Sequence, residues 1–210
     1  MPGVVMLKLL KRKIMKNYLV IALLAASTVF ASCSGNNENA SDTAGTDSLT
    51  TGMDSASTGT EVASAKLATT ADSKDMGTAR FFQLEDGKIR MDLEINFAAR
   101  ADSTVAVHFH EHGDCGNMGE NAHGHWNPTK ENHGEWGSAA SHAGDIGNIQ
   151  LDNQGHGTIS ITTDRWTVEG DDIKTIIGRG IIVHGGTDDY KTQPTGNSGP
   201  RVGCGVITKV

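Results

Sequence analysis

Aromatic residues make up only 5% of this 210-residue chain, and no segment repeats its apolar residues at a sustained helical period. Both shortages count against an architecture of long helices. With 26 glycines in 210 residues, the composition favours many short strands joined by tight turns. Positive charge is also in short supply. The formal charge is −7, and nothing resembles the basic stripe of a nucleic-acid interface, which excludes DNA and RNA as partners. No apolar run is long enough for a comfortable membrane span. The longest, YLVIALLAASTVFA at 18–31, has the length of a signal-peptide core. Large apolar residues almost vanish from 34 to about 75. That stretch cannot bury enough surface to offset its ordering entropy, and it reads as a flexible tether.

The amino terminus carries its own message. Lys8, Lys11, Arg12, Lys13 and Lys16 precede the apolar run, and FASC at 30–33 follows it. This resembles a bacterial lipobox, with Cys33 the lipidated first residue of the mature chain, although Phe30 stands where Leu is usual. An ordinary signal peptide with a chance cysteine is the other reading. A start at Met15 would leave a compact signal on its own. Removing 1–32 takes away five basic and no acidic residues, so the charge falls from −7 to −12. Export places the protein in an oxidising compartment where disulfides persist. The expected organisation is a signal peptide over 1–32, a tether over 33–77 and a folded domain over 78–210. Its expected location is a lipid anchor on the bacterial cell envelope, in the periplasm or at the outer membrane.

From 78 the pattern changes. Arg90, Asp92 and Glu94 alternate with Met91, Leu93 and Ile95, the period of a half-buried strand. Asp86-Gly87 signals a hairpin before them. Further strand-like runs are 104–113, 156–166, 179–186 and 202–210, with a turn-bearing connection at 175–180. An all-β fold follows, a sandwich or barrel of about 130 residues. Two stretches, 114–148 and 185–200, are long, Gly-rich and polar. Loops of that length in a compact domain are functional or disordered.

The nine histidines decide between those options. His108, His110 and His112 occupy alternate positions of a strand-like run, so their side chains are expected on one face. His123, His125, His133 and His142 lie in the first long loop beside Trp126 and Trp136. Clustered imidazoles with a nearby acid are the raw material of a site for a borderline metal ion.

HFHEHGD (108–114), HWNP (125–128), HG (133–134), HAGDIGN (142–148), VH (183–184) and TGNSGPRVGCGVI (195–207) occur in the order found in copper/zinc superoxide dismutases. The chain resembles that family from His108 to its end. The resemblance implies a Greek-key β-sandwich or flattened barrel, immunoglobulin-like, with two long functional loops. It implies superoxide as substrate and one copper and one zinc per subunit as cofactors. His108, His110, His125 and His184 match the copper ligands. His125, His133, His142 and Asp145 match the zinc ligands, which makes His125 a shared bridge. Asp188 resembles the aspartate that joins ligands of both metals, here His108 and His133. Cys115 and Cys204 resemble the family's disulfide pair. Arg201 resembles the arginine at the copper mouth and Thr195 the residue that narrows it. Arg201 and the bridging His125 are the catalytic candidates. His112 reads as a non-ligand, His123 as a rim residue and His156 as a solvated surface residue. The sequence departs from the family where Val105 and Ala106 replace a histidine and a glycine before the first copper ligand. A copper-binding lipoprotein without dismutase activity is the alternative, and a homodimer is left open.

Overall fold

The computed structural model describes residues 59–170 and 173–210. Among them are nine strands: β1 (Thr60–Thr69), β2 (Asp75–Gln83), β3 (Ile89–Asn96), β4 (Thr104–His110), β5 (Asp145–Gln150), β6 (His156–Thr163), β7 (Gly180–His184), β8 (Arg201–Val206) and β9 (Thr208–Lys209). Alternation makes the sheet. In β3, Ile89, Met91, Leu93 and Ile95 are buried while Arg90, Asp92, Glu94 and Asn96 keep contact with solvent. The β2–β3 hairpin turns at Gly87, whose φ of +84° suits glycine.

The strands run in the order β5-β4-β7-β8-β1-β2-β3-β6, and β9 pairs with β1. Every neighbouring pair is antiparallel. The pairings β3–β6 and β4–β7 need long connections, which gives the Greek-key crossing and an all-β, nearly closed barrel. The few aromatic residues are concentrated where they count. Phe81, Phe109, Trp166 and Trp136 form one run of ring contacts at 5.0–6.4 Å. Trp136 belongs to the long loop between β4 and β5, and so does the buried Trp126. The loop is therefore packed onto the barrel core.

Several boundaries differ from expectation; β5 (Asp145–Gln150) begins inside the stretch 114–148 that was expected to be loop. The tether was expected to reach 77, yet β1 lies inside it and the folded domain begins near Thr60, not at 78. The inward residues of β1 are small, Ala63 and Ala65 before Leu67, so its apolar content is low. Its ladders to β2 and β8 hold it in place. Next, β4 stops at His110, so His112 lies beyond the strand. Last, the run 202–210 breaks at Ile207 into β8 and β9. The signal peptide, Cys33 and the first part of the tether lie outside the described residues.

Cys115 and Cys204 form a disulfide with their Cα atoms 5.7 Å apart at a sequence separation of 89. It ties the start of the long loop to β8. In the chain-entropy account a closure of this length contributes roughly 4–5 kcal/mol.

Candidate metal centre

Strand β4 is buried on both faces. Val105, Val107 and Phe109 enter the core, so the alternation puts His108 and His110 on the other face, under the loops. β7 pairs with β4 and ends at His184. The long loop adds His125, which bridges to His110 through backbone pairing, and then His133 and His142. Asp145 opens β5.

These side chains form two groups that share one residue. His108, His110, His125 and His184 each offer a ligand atom within 4.8 Å of the others, and so do His125, His133, His142 and Asp145. All seven are buried. Several rings have one nitrogen tied down. His108 Nε2 meets Asp188 Oδ2 at 2.7 Å, and His133 Nε2 meets Asp188 Oδ1 at 2.8 Å. His110 Nδ1 donates to the His123 carbonyl at 2.8 Å, and His184 Nδ1 to that of Gly199 at 3.1 Å. Asp188 thus contacts one residue of each group.

Four other ring nitrogens lack such partners. His108 Nδ1, His125 Nε2, His133 Nδ1 and His142 Nδ1 are buried without a hydrogen bond. The last two lie 3.0 and 3.1 Å from Asp145 oxygens, but they are not aligned as hydrogen bonds. Each buried unsatisfied group costs roughly 1–3 kcal/mol. Four of them within two donor clusters fit a pair of metal ions. Three imidazoles with a carboxylate suit Zn²⁺ and four imidazoles suit Cu²⁺.

Electrostatics prepare the same chemistry. Burial pulls His108 down to about 3, against its hydrogen bond to Asp188. Burial likewise takes His110 to about 2 and His184 to about 4. Burial lowers His125 too, opposed by Asp145. These rings are neutral at physiological pH, the form that ligates. For His133, burial works downward but is outweighed by Asp145 and Asp188, which push it up to about 9. Burial raises Asp145 and Asp188, but their histidine partners win and hold both below the ordinary carboxylate range.

Arg201, 16% exposed, is fixed by carbonyls: Nη1 donates to Gly119 at 2.6 Å and Nη2 to His123 at 2.7 Å. Its charge acts on both His110 and His184. Thr195 and Glu111 line a cleft of about 480 Å³ in which the edge of His125 is reached. His156 sits on the surface, 3.4 Å from Glu94.

Several supporting residues escaped the sequence reading. Asn148 donates to the Asp188 carbonyl and accepts from its N–H, at 2.9 and 2.8 Å. Gln193 accepts from the His133 N–H and donates to its carbonyl, both at 2.9 Å. Tyr190 accepts from the Asn148 N–H at 3.1 Å. Amides and a phenol give no spacing signal; the only hint was their place in or beside the long loops.

A nearly closed antiparallel barrel with two buried donor clusters sharing one imidazole has the donor arrangement of a binuclear metalloprotein. The comparison with known proteins gives the family. The model of the copper/zinc superoxide dismutases matches residues 76–207, and the chain belongs to that family. It is 32% identical over 151 residues to superoxide dismutase [Cu-Zn] 1 of Aquifex aeolicus, covering 68% of this chain and 88% of that one. It is 36% identical over 143 residues to the superoxide dismutase [Cu-Zn] of Yarrowia lipolytica, covering 65% and 91%. A crystal structure of a double mutant of a SOD-like protein from Bacillus subtilis superposes with a TM-score of 0.62 at 28% identity, covering 69% and 96%.

Proposed function

We propose that this protein converts superoxide to dioxygen and hydrogen peroxide. Copper would be held by His108, His110, His125 and His184, and zinc by His125, His133, His142 and Asp145. The observation that carries this reading is the shared His125, with one nitrogen toward Asp145 and the other unpartnered. When bound, copper supplies the one-electron couple and zinc a fixed charge and structural anchor. The protein's own part is positional. His125 Nδ1 is held 3.0 Å from Asp145 Oδ1, which leaves Nε2 to take up a proton and hand it on. Asp188 fixes the tautomers of His108 and His133. Arg201 gives a small anion a landing point, and the cleft beside Thr195 limits what can approach. A copper-binding protein without activity would have little use for Arg201 in this place.

Metal analysis of the purified domain alongside a superoxide-removal assay tests the reading. Arg201→Glu is expected to slow capture strongly and Arg201→Lys mildly, in the second-order rate. Steering by a local positive charge weakens with ionic strength. Wild-type activity should therefore fall as salt rises, and the Glu variant should lose or invert that slope. Identical rates and slopes would remove Arg201 from the reaction.

The sequence also supports export and a lipid anchor at Cys33, on the bacterial cell envelope. Cys33→Ser should then move the protein to the soluble fraction with full activity. Continued membrane association would rule out the lipid as the anchor.

A further inference from the structure

Beyond the two buried clusters there is a third group of donors. Glu111, His112 and His123 each offer a ligand atom within 4.8 Å of the others, and all three residues are exposed. Two backbone-paired segments bring them together. Past the end of β4, Glu111 N–H donates to the Gly124 carbonyl at 3.0 Å and His112 N–H to that of Ala122 at 3.2 Å. The bend at Glu111 ends the strand alternation, so adjacent residues contribute to one group. The rings of His112 and His123 stand 4.7 Å apart, nearly perpendicular.

His123 occupies a backbone conformation that argues for its side chain. Its φ is +62° and its ψ −141°, close to a region populated almost only by glycine, at a cost of about 1–3 kcal/mol for other residues. The conformation has a reason, because the His123 carbonyl accepts from both His110 and Arg201. Glycine would present the same carbonyl without strain. The imidazole is thus the part that the buried site does not require. Two imidazoles and a carboxylate on an open face suit a divalent transition metal, with Cu²⁺ the tightest of the first row. Arg179 and Arg201 are the neighbouring cations. Arg179 donates to the Glu111 carbonyl at 2.7 Å and lies over the Trp126 ring at 5.2 Å, and Arg201 is held by the Gly119 and His123 carbonyls, so both competing charges are tied down.

We propose that Glu111, His112 and His123 form a third metal site, on the surface, that takes Cu²⁺ reversibly. It shares no ligand with the two buried clusters and does not rest on the dismutase reading.

The test starts from holoprotein with copper and zinc already bound, at fixed pH in a non-coordinating buffer. Cu²⁺ is titrated against a competing chelator, with electron paramagnetic resonance to distinguish the sites. One additional Cu²⁺ per chain should bind, with a spectrum unlike that of the buried copper. His112→Ala and Glu111→Gln should each weaken it by about tenfold or more. His123→Gly, which relieves the backbone strain and keeps the carbonyl, should fold at least as well and lose the site. Zinc and buried copper, measured in the same samples, report separately on the other centre. Absence of the third equivalent in the wild type, or its persistence unchanged in these variants, overturns the proposal.

Discussion

His110→Ala is expected to lose superoxide removal by on the order of 100-fold or more, while zinc stays near one per chain. The split follows from the geometry. His110 belongs to the group with His108, His125 and His184 and to no other. Its Nε2 lies 3.4 Å from that of His184, and its Nδ1 is held by the His123 carbonyl. Truncation removes one donor there and leaves His125, His133, His142 and Asp145 in place. The backbone of β4 stays laddered to β5 and β7, so the fold should survive the loss of one side chain. Metal analysis and the assay on the same preparation read both halves. His156→Ala, an exposed change on β6, serves as the comparison and should match the wild type. Near-full activity with normal copper in the His110 variant would remove His110 from the metal centre.

What the sequence revealed was the chemistry that alternation and spacing encode. β3 was readable because its inward residues are large and its outward ones charged. His108 and His110 were readable because only alternate positions can share a face. β1 was not, because Ala63 and Ala65 carry too little apolar area to stand out from a Ser/Thr-rich run. What holds β1 is pairing on both sides, and pairing partners far apart in the chain leave no local mark.

The metal loops show the same division. The residues that match family ligands stood out as histidines and an aspartate at fixed intervals. The residues that brace them did not, since Asn148, Gln193 and Tyr190 act through backbone groups brought close by folding. His112 was misplaced for another reason. The alternation H-x-H-x-H suggests one continuous strand, but the bend at Glu111 breaks it, and no residue type there announces a bend.

Gly196→Ala is expected to damage the metal centre from a residue that ligates nothing. Gly196 sits at φ +66°, and an added Cβ would fall well inside contact distance of Asp188 Oδ1 and 2.5 Å from His133 Nε2. The carboxylate would have to move, and it is the group joining His108 to His133. The backbone cannot easily yield either. Gly196 N–H donates to Thr192 at 2.7 Å, and its carbonyl accepts from Asp189 at 2.9 Å. Disturbing a group that orients metal ligands typically weakens metal affinity by about 10–100-fold. Left-handed strain adds a stability loss of at least about 1 kcal/mol. Gly87→Ala separates the two effects. Gly87 has a similar φ of +84°, nothing within 4 Å of an added Cβ, and a place in the remote β2–β3 hairpin. It should lower the melting temperature by a few degrees and keep its metals. The Gly196 variant should lower it further, and should release zinc and copper to a chelator that leaves the Gly87 variant loaded. Equal metal retention in the two variants would mean that Asp188 does not govern the centre through its contacts with His108 and His133.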